Sequence, residues 1–493
     1  MIKHELELHP KVTAFLNEPK RLFINGEWHE SIDGNLFETI NPATGEVLAT
    51  VHEAGELDVN MAVHAASTAF EEGDWPAISS YERSKLMHRL ADLMERDFEV
   101  LAQIDSLDNG KSIKEMTQSD LPNAIEQLRY YAGWTTKMTG QTIPISQSYF
   151  NYTHHEPVGV VGQIIPWNFP IMMALWKIAP ALATGCTIIL KPAEQTPLSA
   201  LYLAKLIEEA GFPKGVINII NGFGKTAGEA LVKHPKVNKI AFTGSTPVGQ
   251  SIMKEAANTL KRVTLELGGK SPNIILPDAD LNKAIPGVFS GIMANQGQIC
   301  CAGSRVFIPD HLYDEVVNKL VDYAHNVKLG HGLDENTAMG PLVSARQQEV
   351  VISYINKGVE EGANLLIGGE KSEKGYFVTP TVFSDVEDHM TIAKEEIFGP
   401  VVVAMPYSTV DEAIERANCS SYGLAAGLWT EDLRNAHKLS RKLKAGTVWV
   451  NCYNLTNAAA PFGGYKESGI GREMGSYALD NYTEVKSVWI NLE

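Results

Sequence analysis

The sequence predicts an α/β fold of two sheet-containing units and a small β arm, on three observations. Between residues 158 and 260, four short apolar runs are each followed by a helix-length segment. Past about residue 270 the same texture resumes as a second unit. Residues 482–492 then alternate apolar and polar side chains. Strand-then-helix units in series favour parallel strands, because each helix carries the chain back across the sheet and covers a face.

The elements follow in chain order. Val59 to Phe70, Ser84 to Leu107 and Asp120 to Met138 carry apolar residues three or four apart among charges, the helical period. VGVVGQIIP (158–166) reads as a buried strand before a helix over Ile171 to Thr184. CTIILKP (186–192) precedes a helix over Ser199 to Ala210, and VINIING (216–222) precedes one over Thr226 to Lys233. KIAFTGS (239–245) precedes a helix over Gly249 to Leu260. This run describes a parallel sheet of the dinucleotide-binding type. VTLELGG (263–269) reads as a hinge into NIILP (273–277), the first strand of a second unit running to about residue 465. The Gly-rich stretch PFGGYKESGIG (461–471) interrupts that unit. YTEVKSVWINL (482–492) reads as an edge strand with QSYFNYTHHEP (147–157) as its partner. Edge strands are usually covered, so an oligomer contact is expected there.

Composition narrows the function classes. The 493 residues carry 42 basic and 59 acidic side chains, a net charge of −17. A spread acidic surface disfavours phosphate-backbone binding, so no nucleic-acid partner is expected. The N-terminal MIKHELELHPKVTAFL lacks a signal-peptide apolar core, and no stretch of about 18 apolar residues suggests a membrane span. A cytoplasmic location is expected. Cys186, Cys300, Cys301, Cys419 and Cys452 form no CxxC pair, so no metal site is expected, and adjacent Cys300 and Cys301 lie closer than the usual disulfide range, so no disulfide framework is expected.

Three apparent motifs fail. GFGKT (222–226) lacks the earlier glycine of a phosphate loop, because position 219 is Ile. DADLNK (278–283) has Lys283 where a calcium loop needs Gly. His154 and His155 have no Cys or acidic partner at ligand spacing, and read as edge-strand residues.

Other segments carry chemistry. Gly222 to Ala227 fits a loosened dinucleotide fingerprint but lacks the acid expected about 20 residues later. A better arrangement uses three strand ends: Pro166-Trp167-Asn168; Lys191 to Glu194, whose carboxylate suits a ribose diol; and Phe242 to Gly249, which opens a helix. Ordinary strand-to-helix turns would look similar. In NQGQICCAGSR (295–305) two thiols lie between glycines, although an isolated Cys is more often a small core residue. Glu266 lies in the apolar, Gly-rich run VTLELGGKSP, where burial would raise a carboxylate toward a general base's range. A structural ion pair is the other reading of Glu266.

Taken together, PWNFP (166–170), KPAEQTP (191–197), FTGSTPVG (242–249), LELGGKSP (265–272), NQGQICC (295–301), EEIFGPV (395–401) and PFGGYKESGIGRE (461–473) resemble the aldehyde dehydrogenase superfamily. The match runs in order over roughly residues 20 to 490, and is closest in kind to broad-specificity NAD-dependent members acting on acetaldehyde, fatty aldehydes and retinal. The resemblance implies a Rossmann-type cofactor domain over residues 1–139 and 158–266, and a second α/β catalytic domain over 267–475. It also implies a small β oligomerisation arm over 140–157 and 476–493, in a homotetramer built from dimers. Carried over by position, Cys300 is the nucleophile, Glu266 the base, Asn168 an oxyanion donor and Lys177 a further catalytic residue. Ile164, Pro166, Trp167, Lys191, Glu194, Gly224, Phe242, Gly244, Ser245, Val248, Gly249, Leu267, Glu396 and Phe398 fall on cofactor positions. Pro247 stands where close relatives often have Glu. Phe169, Trp176, Ala294, Cys301, Thr456 and Phe462 fall on the substrate tunnel. Small-aldehyde relatives carry Phe where this chain has Ala294 and Thr456, so medium and long apolar aldehydes are expected, with retinal among the candidates.

The cofactor implied is NAD, because Glu194 favours a free ribose 2′-hydroxyl over a phosphate, with Lys191 softening that preference. Two rival readings stand beside hydrolytic oxidation. One is a CoA-acylating enzyme, against which Glu266 argues. The other is a catalytically silent structural protein on the same scaffold, against which Cys300, Glu266 and Asn168 argue.

Overall fold

The computed structural model describes residues 7–493. It is a mixed α/β structure in which two large sheets are each covered by helices. The first sheet has eight strands. Its spatial order is Glu27–His29, Leu22–Ile24, Ile217–Ile219, Thr187–Lys191, Val160–Ile164, Lys239–Thr243, Arg262–Glu266 and Gly469–Ile470. The five central strands are parallel, and all but the last are buried throughout, as the continuous apolar runs require. Succession runs outward in one direction from Val160–Ile164 and in the other from Lys239–Thr243. The boundary between those two strands is therefore the topological switch point, where crossovers leave a crevice at the strand ends.

The second sheet has the order Asn364–Ile367, Thr381–Ser384, Val401–Tyr407, Arg305–Pro309, Pro272–Ile275, Ala425–Trp429 and Thr447–Val450. Only its first strand is antiparallel. Thr483–Asn491 pairs antiparallel with Tyr149–Pro157, and Thr142–Ile143 joins as a third strand, so the alternating tail finds the partner read for it. Among the described residues no helix is long and apolar enough to cross a membrane.

Three elements differ from the sequence reading. The segment Ser84 to Leu107 is two helices, Ser80–Arg96 and Phe98–Asn109, broken at Asp97. Asp97 accepts from Lys11 at 2.6 Å and from the Tyr202 hydroxyl at 2.8 Å, long-range ties that the helical period does not encode. Thr226 to Lys233 is a π turn, Gly224–Gly228, followed by the short helix Glu229–Lys233. Residues 262–266 are no hinge. They form the last parallel strand of the first sheet, and the chain leaves that sheet only at Leu267.

Candidate active site

The carboxyl ends of Val160–Ile164, Lys239–Thr243 and Arg262–Glu266 open on a cavity of about 570 Å³ at the switch point. Pro166, Trp167, Asn168, Gly244, Ser245, Glu266 and Leu267 reach it directly from these ends. The second sheet's side contributes Ala294, Cys300, Cys301, Glu396 and Phe398.

The segment holding Cys300 is backbone-strained. Asn295, Gln296 and Gly297 have φ of 46°, 56° and 71°, the left-handed region that non-glycine residues visit rarely. Polar side chains hold it there. The Asn295 amide donates to the carbonyls of Asn168 at 2.8 Å and Gln298 at 3.2 Å, while its backbone N–H donates to Glu115 Oε1 at 2.7 Å. The Val343 backbone N–H donates to Gln298 Oε1 at 3.0 Å. The Asn168 side chain is buried and donates to the Gln298 carbonyl at 2.9 Å, which anchors it beside the segment that holds Cys300. Phe398, also left-handed at φ 57°, packs edge-on against Trp167 with ring centroids 5.2 Å apart.

Cys300 is half-buried and Cys301 buried, and neither is in a disulfide. The Cys301 thiol hydrogen bond, then burial, then the nearby carboxylates of Glu396 and Glu266 hold the Cys300 thiol well above its ordinary value. The resting side chain is therefore a thiol, and its nucleophilic form increases as pH rises.

Glu266 is buried, and its Oε2 has no hydrogen-bond partner among the described residues. Burial and the Glu473 carboxylate push its pKa well up, with Lys177 and Arg472 opposing. Gly463 makes room for it, because a Cβ there would lie 2.8 Å from Glu266 Oε1. Lys177 does not line the cavity. It projects from the helix Pro170–Thr184 and forms a buried ion pair with Glu473. Glu473 does not line the cavity either, but its carboxylate acts on Glu266, and the sequence reading missed it. Its one signal was a place at the end of PFGGYKESGIGRE, while its partner lies 296 residues away.

The remaining cofactor candidates surround the same strand ends without lining this cavity. Ile164 and Phe242 are register partners across the switch point. The helix Thr246–Ala256 begins with Pro247 in its first turn and has no side-chain cap, leaving free N–H groups suited to a pyrophosphate. Val248 is exposed on it, and Gly249 lets it pack on Leu267, whose Cδ2 would lie 2.6 Å from a Cβ. Lys191, almost fully buried, donates to the Pro192 carbonyl at 2.9 Å and lies 3.6 Å from the part-exposed Glu194 carboxylate. Burial lowers the Lys191 pKa. A Cβ on Gly224 would meet no atom within 4 Å, so the approach to that turn is open. This donor set fits a dinucleotide: N–H groups for phosphates, and a carboxylate with an ammonium for a ribose.

Phe169, Trp176, Thr456 and Phe462 also line the cavity. Trp176 and Phe462 meet edge-on at 5.5 Å. Ser119, Asn123 and Asn454, absent from the sequence reading, line it too.

Comparison with known proteins agrees with this geometry. The model of the aldehyde dehydrogenase family matches residues 28–488. The chain is 64% identical to DhaS of Bacillus subtilis (strain 168) over 489 residues, 99% of each chain. It is 53% identical to the mitochondrial aldehyde dehydrogenase of Homo sapiens over 475 residues, 96% of this chain and 92% of that one. An NAD+ complex of an aldehyde dehydrogenase from Bacillus cereus superposes with a TM-score of 0.98 at 62% identity, covering 99% of both chains.

Proposed function

The chain belongs to the aldehyde dehydrogenase family and is an NAD-dependent aldehyde dehydrogenase, and on that premise we propose that it works through a thioester on Cys300, hydrolysed with Glu266 as base. One observation carries this reading: a thiol, a buried carboxylate and an anchored side-chain amide converge on a single cavity at the switch point.

In this reading the Cys300 thiolate adds to the aldehyde carbonyl. The resulting oxyanion is held by the second amide hydrogen of Asn168 and the Cys300 backbone N–H. NAD, when bound, supplies the hydride acceptor. Lys191 and Glu194 would hold a ribose, the N-terminus of Thr246–Ala256 the pyrophosphate, and Glu396 and Phe398 the end nearest Cys300. Glu266 then takes a proton from the water that attacks the thioester. The raised pKa gives Glu266 the basicity for that step, and the Lys177–Glu473 pair beside it sets its charge environment. Losing one preorganised oxyanion donor typically costs about 10²–10³ in rate, so Asn168 is a major contributor.

Gly463 tests the base's placement. Gly463→Ala is expected to lower kcat roughly 10-fold to 100-fold, since its methyl displaces the Glu266 carboxylate. Turnover with melting temperature as a fold control checks this, and a wild-type kcat contradicts it.

For substrates, the proposal is medium and long aldehydes, retinal among them, because Ala294 and Thr456 leave the cavity open. A CoA-free assay over a series of aldehydes, with acid as the measured product and both cofactors compared, tests the function. Glu194→Gln is expected to narrow the NAD preference about 10-fold, because it removes the charge that repels a 2′-phosphate. NADH formation that requires added CoA and yields acyl-CoA refutes hydrolysis, and an NADP preference in the wild type refutes the role of Glu194.

The domain division proposed is 1–139 with 158–266, 267–475, and the arm of 140–157 with 476–493. The arm exposes Tyr149, Phe150, Val485, Trp489 and Ile490, a surface that supports burial between subunits of a homotetramer. Five unpaired cysteines support a reducing, cytoplasmic location.

A further inference from the structure

The cavity wall is not uniformly apolar. Asn454 and Trp176 line it, and each carries a buried N–H donor with no acceptor among the described residues, Nδ2 and Nε1. Asn454 is held in that orientation. Its Oδ1 accepts from the Cys301 thiol at 3.7 Å, which leaves the amide N–H groups as the free end. Its backbone is left-handed at φ 58°, a conformation that Asn tolerates well. Next to it the Thr456 hydroxyl donates to Asn123 Oδ1 at 3.4 Å, and Asn123 Nδ2 donates to the Ser119 carbonyl at 3.0 Å. That strip satisfies itself and leaves Asn454 and Trp176 as unpartnered N–H donors of this wall, while Thr243 Oγ1, at the end of a first-sheet strand, is a further unpartnered hydroxyl of the cavity. A buried donor without a partner keeps its desolvation cost until an acceptor or a water arrives.

The charge of the cavity selects the kind of acceptor. Glu115, Asp120, Glu266 and Glu396 face it, and burial raises the pKa of each, which shows how poorly the site receives a negative charge. Of the basic groups, Lys111 is already paired with Asp120 at 2.5 Å, and Arg346 is the other. An uncharged oxygen fits these donors better than a carboxylate does.

We infer that the cavity favours neutral aldehydes carrying an ether, hydroxyl or carbonyl oxygen within the first few bonds beyond the reacting carbon, received by Asn454 and Trp176. The oxygen lies close to the aldehyde because Asn454 touches Cys301, the neighbour of the nucleophile. The inference rests on the reading of Cys300 as that nucleophile. It sharpens the apolar description of the tunnel: Phe169 and Phe462 pack the carbon chain, while two N–H groups read an oxygen within it.

The test compares 3-methoxypropanal with pentanal, which differ only by an oxygen in place of a methylene, using NAD and no CoA. An apolar tunnel favours pentanal, because the ether oxygen must be desolvated without return. The expected wild-type result is kcat/KM at least about threefold higher for the ether, the size of one neutral hydrogen bond after its desolvation. Asn454→Gly keeps the left-handed backbone and removes one donor. Trp176→Phe keeps the ring edge on Phe462 and removes the other. Each is expected to lower the ether-to-pentanal ratio by about threefold to tenfold. A wild-type preference for pentanal, or a ratio unmoved in both variants, overturns the inference alone. Failure to oxidise either aldehyde overturns the reading of the site together with it.

Discussion

Replacing Cys300 by Ala is expected to remove both the first burst of NADH and all later turnover, a loss of about 10⁴-fold or more in kcat. On the proposed reading Cys301, the other thiol on the cavity lining, does not replace it. Cys301 is buried, its thiol directed to Asn454, while Cys300 is half-buried at the cavity wall with Glu266 and Asn168. Cys301→Ala is the internal control and keeps both phases. Rapid-mixing absorbance at saturating NAD separates the outcomes. A burst that survives in Cys300→Ala and disappears in Cys301→Ala moves the nucleophile by one residue.

Glu266→Gln is expected to divide the reaction in two. A burst of up to about one NADH per site remains, because thiol addition and oxidation do not need a base at this position. Steady turnover falls about 10²–10⁴-fold, the usual range for a lost general base. Glutamine is close in shape, so the carboxylate's packing against Gly463 is kept and only proton acceptance is lost. Burial already penalises the charged form here, so the variant should be no less stable than the wild type. Loss of the burst in step with turnover would place Glu266 in the first half of the reaction instead.

How much of this was readable before folding depends on the range of the interactions. The central sheet follows from continuous apolar runs bounded by Gly and Pro, a local signal. The N-terminal hairpin Leu22–His29 turns at Asn25-Gly26, both with positive φ, a pair that marks hairpins; its strands of three residues are too short to show a period. The break at Asp97 depends on Lys11 and Tyr202, which no window around residue 97 contains.

The site divides in the same way. Cys300, Glu266 and Asn168 stand in motifs whose order along the chain resembles a known family, and the fold brings all three to one cavity. Glu473 stayed hidden because its meaning comes from Lys177, and that pairing exists only across the folded core. Asn454 and Asn123 stayed hidden for another reason. They sit in irregular or helical segments with no chemical motif, and only the cavity shows that they share a wall. The left-handed run Asn295 to Gly297 was likewise unreadable, since Gln296 has no intrinsic preference for that conformation and is held there by its neighbours.

The central claim, a thioester on Cys300 released by Glu266, has one direct measurement. Glu266→Gln is mixed with an aldehyde and NAD, stopped in acid during the slow phase, and its mass and peptide map are read. The account predicts one acyl group per chain, carried by the peptide that contains residues 295–305 and assigned by fragmentation to Cys300. An acyl group on Cys301, or a burst of NADH with no acylated chain, would contradict it.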